Sequence, residues 1–310
     1  MTTPPSSKSW CVGLIGYGEV GRILAEDLRA QGLVVCAHDV KLAGPAAAEL
    51  RDHASAHGVR LFASHAEVAQ ASHLIISAVT AHQDVAVAQA CAGAVQAGAF
   101  FLDVNSASPG AKGQAAALID AAGGRYVEGA VMTGVPPYRS KVPLLLGGRH
   151  AADLTPQLNA LGFAAQVTSD RLGVASATKM CRSVMIKGLE ALVIESLTTA
   201  RAYGVEDAVL ASLYETFPGF DWEKQAAYFF QRVIEHGRRR SEEVREVAQT
   251  VREAGLTPWA ANGTAERQAW VADLADAGVF GTQGTPGFAR SADWRTEADR
   301  LLAALVPPAH

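Results

Sequence analysis

The chain has 310 residues, enough for two domains or one large one with ample core. Its net charge is only −4, so no nucleic-acid partner is expected, and its 49% apolar content is that of an ordinary globular protein. No apolar run approaches the length of a membrane span, so no membrane partner is expected either. Residues Met1 to Ser9 are polar, contain proline and lack the apolar stretch of a signal peptide, which predicts a disordered tail. The four cysteines, Cys11, Cys36, Cys91 and Cys181, lie in apolar patterns without a C-x-x-C spacing. They read as reduced core residues of a cytoplasmic protein, with no metal site.

The first ordered element is an apolar strand, Trp10–Gly16, running straight into Gly16-Tyr17-Gly18-Glu19-Val20-Gly21 and then a helical pattern from Arg22 to Ala30. G-x-G-x-x-G between strand and helix is the arrangement that holds a dinucleotide. Gly16 makes the tight turn, Gly18 lets backbone approach a pyrophosphate, and Gly21 lets helix pack on strand. The phosphates then meet the open N–H groups of the helix start, which assigns Gly16, Tyr17, Gly18, Glu19, Val20 and Gly21 to the cofactor. A second strand, Leu33–Asp39, ends in a carboxylate about twenty residues beyond the glycines, where an adenine ribose is held. Asp39 repels a 2′-phosphate and accepts a 2′-hydroxyl, favouring NAD, while Lys41 nearby leaves NADP open.

Strands follow at Val59–Phe62, His73–Val79, Ala99–Asp103 and Tyr126–Val131, with helical patterns between them. Such alternation predicts an α/β fold, a doubly wound and mostly parallel sheet with helices on both faces. Val79 and Thr80, where the fourth strand ends, are assigned to the cofactor with Asn105. The loop after the fifth strand, Asp103 to Pro109, presents Asn105 and Ser106 as neutral hydrogen-bonding groups near a nicotinamide or a substrate carboxylate. It also reads as a helix start, with Ser108 as N-cap and Pro109 in the first turn. The loop after the sixth strand places Met132, Thr133 and Gly134 at the same end of the sheet as substrate contacts, or as plain turn residues. Two more strands, Val142–Leu146 and Ala164–Thr168, with a helix at Ala151–Leu161 between them, close a first domain over residues 10–168.

From residue 169 to 310 the periodicity is helical. Leu172–Tyr203 predicts one helix of about 45 Å. Further helices are predicted at Glu206–Phe217, Glu223–Glu235, Arg239–Glu253, Pro258–Ala277 and Ser291–Ala304. A long helix leaving a nucleotide domain for an all-helical one predicts a cleft between them. Lys179 and Ser183 share a face of that helix. A lysine in a closed, partly apolar cleft can exchange a proton near neutral pH, although most helical lysines are simply solvated.

The glycine turn, the Asp103–Pro109 loop, the Glu128–Gly134 loop and the Lys179 helix, in that order, resemble the β-hydroxyacid dehydrogenase superfamily. This is the group of 3-hydroxyisobutyrate and 6-phosphogluconate dehydrogenases and imine reductases. The resemblance covers about residues 10–260. It implies a Rossmann-type domain, a helical second domain, hydride transfer with NAD(P) and a general acid/base at Lys179, with Ser183 orienting the reacting oxygen. It also implies a homodimer formed through the helical domain. Three segments depart from the family pattern: Asn105-Ser106 stands for Ser-Thr, Met132-Thr133-Gly134 for Ser-Gly-Gly, and Ser183 for asparagine. The His-Asn pair of 6-phosphogluconate dehydrogenases is Arg182-Ser183. The expected chemistry is therefore retained with a different small-molecule substrate, and 6-phosphogluconate is not expected to be it. Imine reduction, or NAD(P) sensing without catalysis, are the rival readings.

Seven aromatics between Tyr214 and Phe230 predict either helical core or subunit interface, or the wall of a bulky-substrate pocket. His236, Arg239, Arg240 and Glu243 share a helix face that is either solvated or, if it borders the cleft, offers Arg239 or Arg240 to a substrate carboxylate.

Overall fold

In the computed structural model, residues 9–285, 287–288 and 293–305 are described. The predicted tail therefore lies outside the described residues, except for Ser9. They form two compact units that divide between Met180 and Cys181.

In the first unit the strands are β1 (Cys11–Ile15), β2 (Val34–His38), β3 (Arg60–Leu61), β4 (Leu74–Ser77), β5 (Phe100–Asp103), β6 (Arg125–Val131), β7 (Pro143–Gly147) and β8 (Ala164–Ser169). They make one sheet in the order β3-β2-β1-β4-β5-β6-β7-β8. Every pairing is parallel except that between β6 and β7, which is antiparallel. The helices of this unit are α1 (Glu19–Ala30), α2 (Ala47–His57), α3 (His65–Ala71), α4 (Asp84–Ala92), α5 (Pro109–Ala121) and α6 (Ala151–Ala160).

Central strands are apolar throughout because both sides are covered. Leu14, Leu74, Ile76 and Leu102 pack into one core with Leu24 and Leu28 of α1. Their chain neighbours Ile15, Ile75 and Phe101 point the other way, into a core with Val87 of α4 and Ile119 of α5. The chain runs outward from β1 to β3, then returns to β4 on the other side of β1. An open sheet of this type binds ligands where that reversal occurs, beyond the carboxyl ends of the strands.

The second unit is helical. The long α7 (Val174–Tyr203) begins in the first unit and continues into the second, followed by α8 (Glu206–Thr216), α9 (Trp222–Glu253), α10 (Trp259–Asp276) and α11 (Trp294–Leu305). Gly173, at φ +90°, is the turn from which α7 starts. The two helices predicted at Glu223–Glu235 and Arg239–Glu253 are one continuous helix, α9. Gly237, in the gap between the two predicted ranges, is a close-approach position: a Cβ there would lie 2.8 Å from the Gln268 carbonyl oxygen of α10. Residues 291 and 292 of the last predicted helix lie outside the described residues.

Candidate dinucleotide and active site

Three glycines shape the β1–α1 turn, each for a different reason. Gly16 has φ +91°, and a Cβ on it would come within 2.3 Å of the Ala78 carbonyl oxygen. Gly21 has its would-be Cβ 2.1 Å from the carbonyl oxygen of Gly16. Gly18 is the opposite case, since nothing lies within 4 Å of where its Cβ would be. It is also the N-cap of α1 and supplies no side chain to the helix start. Two glycines thus close the turn, and the third leaves open space in front of the helix's N–H groups, as a pyrophosphate requires. Tyr17 is buried within the turn, Val20 is half-buried and Glu19 is exposed.

Asp39 locks this turn to the end of β2. Its carboxylate accepts from the Tyr17 N–H and the Lys41 N–H, both at 2.8 Å. Each carboxylate oxygen has a second lone pair, so the group can still accept from a ribose hydroxyl.

Beside the turn, the ends of β4 and β5 are stitched together by Asn105. Its Oδ1 accepts from the Val79 N–H at 2.6 Å, and its Nδ2 donates to Ser77 Oγ and to Asp84 Oδ1. Asn105 is buried with these bonds made, so its side chain braces the loop rather than offering itself to a ligand. Val79 is half-buried and Thr80 exposed. Beneath lies a buried ionic group. Asp103 pairs with the fully buried Lys112 at 2.6 Å and accepts from the Tyr126 hydroxyl at 2.6 Å. Burial pushes Asp103 upward, but the Lys112 ammonium, the Asp84 carboxyl and the Tyr126 hydroxyl together hold it below the usual range. Burial and then the Asp103 charge push Asp84 up to about 7. Oδ2 of Asp84 accepts no hydrogen bond. A proton held between the Asp84 and Asp103 carboxyls relieves their mutual repulsion.

Lys179 reaches this loop from α7. Its Nζ donates to Ser106 Oγ at 2.7 Å, one residue beyond Asn105. The start of α7 is fixed by Glu128 of β6, a fully buried carboxylate that accepts from the Ala175 N–H and from the Ser176 hydroxyl at 2.7 Å. Acidic charge suits a helix N-terminus. Gly147, opposite Glu128 across the β6–β7 pair, makes room: its Cβ would lie 2.3 Å from Glu128 Oε1. Of the loop after β6, Met132 is half-buried and Thr133 and Gly134 are exposed.

The family model for the NAD binding domain of 6-phosphogluconate dehydrogenase matches residues 11–168. The chain belongs to this dehydrogenase family. A second model, a domain of unknown function (DUF1932), matches residues 200–271. Among solved structures, a conserved hypothetical protein from Sinorhizobium meliloti is 37% identical, with 94% of this chain and 96% of that one covered and a TM-score of 0.74. A conserved protein of unknown function, described as structurally similar to 3-hydroxyacid dehydrogenases, is 30% identical, covers 86% of this chain and 99% of its own, and has a TM-score of 0.66. The mitochondrial 3-hydroxyisobutyrate dehydrogenase of Drosophila melanogaster is 24% identical, over 73% of this chain and 68% of its own length. These matches place the chain in the β-hydroxyacid dehydrogenase superfamily.

The glycine turn, Asp39 and Lys179 all fall within the first unit. Other candidates belong to the second. Ser183, one turn beyond Lys179 on α7, is half-buried. Arg240 is buried and pairs with the buried Glu190 of α7, which removes it as a ligand for a substrate carboxylate. Arg239 is exposed and pairs with Glu243 of its own helix. Among the clustered aromatics, Trp222, Phe229 and Phe230 belong to the helical core with Trp294, while Phe217 and Tyr228 are exposed. Sequence patterns do not single out Asp84 or Lys112 and assign Glu128 no role. Glu128 carries a signal, a carboxylate inside an apolar run that calls for a buried partner, whereas Asp84 and Lys112 stand among small and polar residues at the starts of α4 and α5 and carry none.

Proposed function

We propose that this protein is an NAD(P)-dependent dehydrogenase or reductase, acting on the alcohol or carbonyl of a 3-hydroxy-acid-like substrate, with Lys179 as general acid/base. The observation that carries this is a chain of contacts. A Cβ on Gly16 would strike Ala78, Val79 is bonded to Asn105, and the next residue, Ser106, accepts from Lys179. The dinucleotide turn and the candidate proton donor are therefore tied to one loop system.

The residues of the turn fit a dinucleotide: open space at Gly18, an uncapped helix start, and Asp39 with lone pairs to spare. When bound, the nicotinamide supplies or accepts the hydride. The chain's own residues do the rest. Lys179 gives a proton to the carbonyl oxygen in reduction and takes one from the hydroxyl in oxidation. Ser106 holds the amine in place, Thr133 and Gly134 offer a hydroxyl and backbone to the substrate, and Ser183 orients the reacting oxygen. Asp39 favours NAD over NADP through repulsion of a 2′-phosphate. Exposed Met185, Leu192 and Tyr203 on α7 support a homodimer formed through the helical unit. The four cysteines are free, and Cys181 is exposed rather than in a core as expected; free thiols fit the reducing conditions of the cytoplasm.

Replacing Lys179 by Ala should lower turnover by a factor on the order of a hundred or more, with NADH affinity unchanged. The assay is a panel of 3-hydroxy acids and their carbonyl counterparts, run beside cyclic imines. An undiminished rate in the variant removes Lys179 from the reaction. Turnover of imines alone replaces the substrate class.

A further inference from the structure

On the outer side of the glycine turn, α1 and α2 bring together three side chains that the dehydrogenase reading does not use. His53 and His57 stand four apart on α2, their rings stacked with centroids 4.5 Å apart. Glu26 of α1 faces them, with Oε1 3.0 Å from His53 Nε2. One ligand atom from each of Glu26, His53 and His57 lies within 4.8 Å of the others. We propose that Glu26, His53 and His57 form a binding site for a divalent transition metal of the Zn2+ type.

Two imidazoles and a carboxylate are a donor set that Zn2+, Ni2+ and Co2+ accept. Histidines at i and i+4 on a helix present their rings on one side. Bonds of about 2.0–2.2 Å to a tetrahedral zinc leave its ligand atoms roughly 3.3 Å apart, so the spacing present needs only side-chain rotation. His57 is exposed, which gives an entry path and leaves a coordination position for water.

The surroundings are built for the role. Ligating histidines hold their second ring nitrogen against an outer partner, and His53 Nδ1 lies 2.9 Å from the buried Tyr17 hydroxyl. With a metal on Nε2, Nδ1–H donates to Tyr17 Oη. Tyr17 is the residue between Gly16 and Gly18, so this outer partner belongs to the dinucleotide turn itself. The other oxygen of Glu26, Oε2, is held by Arg139 at 2.7 Å, which fixes the carboxylate with Oε1 toward the histidines.

The test is titration of the full chain with Zn2+ and Ni2+ by chelator competition, and with Co2+ by visible absorption. The expected result is one site per chain with a dissociation constant in the micromolar range or tighter. His57→Ala, an exposed position, should weaken it at least tenfold, and so should Glu26→Gln. Tyr17→Phe should weaken it by roughly tenfold through loss of the outer partner. Circular dichroism on each variant separates loss of ligand from loss of fold. No binding to the wild type below millimolar metal overturns the proposal. Unchanged affinity in His57→Ala or in Glu26→Gln overturns it as well. The readout is metal affinity alone, so it stands or falls apart from the redox reaction.

Discussion

Within the β1–α1 turn, Gly16 and Gly18 answer to different forces, and substitution should tell them apart. Gly16→Ala places a methyl against the Ala78 carbonyl oxygen at a φ that alanine avoids. The expected loss is about 2–5 kcal/mol of stability, read by urea denaturation. Gly18→Ala meets nothing in the protein. It should leave the melting temperature within about 2 °C while weakening NADH binding at least tenfold, because the methyl occupies phosphate space. Equal effects from the two substitutions would mean that Gly18 has no ligand to accommodate. Asp84 gives a pH signature of its own. Its carboxyl stays protonated up to about 7 in the folded chain, but only to about 4 when unfolded. The folded state then binds the extra proton between those values, so this contribution to stability is present at low pH and fades as pH rises from about 4 through 7. Asp84→Asn keeps an acceptor for Asn105 and a donor for Asp103 at every pH. Its stability relative to wild type should therefore rise between pH 5 and pH 8 in urea titrations. A pH-independent difference would show that Asp84 is already ionised.

Helix α9 is where local sequence signals and packing part company. A glycine inside a helix lowers its propensity by about 1 kcal/mol, yet α9 runs unbroken through Gly237. Contact with α10 reverses the sign, because only a glycine at 237 lets that backbone approach. The arginine pair three residues on shows the same lesson. Arg239 and Arg240 are equivalent as letters, yet one pairs in solvent and the other inside the helical core. Arg240→Ala leaves Glu190 buried without its cation, which should destabilise the chain by about 3–5 kcal/mol. Replacing both partners by apolar residues of similar size, Arg240→Met with Glu190→Leu, should recover much of that loss. Chemical denaturation of the single and double variants checks this. A mild single variant would instead place Arg240 in water and return it to the candidates for substrate binding.

Across the whole chain, ligand linkage gives a readable pattern. NADH at a hundred times its dissociation constant should stabilise the folded chain by about 2.7 kcal/mol. Hydrogen exchange should then slow at the Gly16–Gly21 turn and around Asp39, Val79 and Asn105, the segments joined by the bonds described above. Protection absent from the turn but present elsewhere would move the nucleotide away from the glycines. Residues 181–310 carry their own core, built on Trp222, Phe230, Val233 and Trp294. Their matched family is one of unknown function, so the substrate question is concentrated there and in the departures at residues 132–134 and 183.

The alternation of strands and helices, the dinucleotide turn and the change to an all-helical second half can be read from the order of residues alone. These are local properties: hydrophobic period, glycine spacing and the type of residue that ends a strand are all written within a few positions of where they act. Which polar groups face inward is settled by contacts distant in the chain. Asn105 turned out to brace β4 against β5, Glu128 to hold the start of α7, Asp84 and Lys112 to share a buried ionic group with Asp103, and Arg240 to neutralise Glu190. Each of these depends on a partner between 9 and 50 residues away in the chain. Because desolvation makes a buried charge unfavourable until its partner is in place, that choice is made by packing and not by spacing.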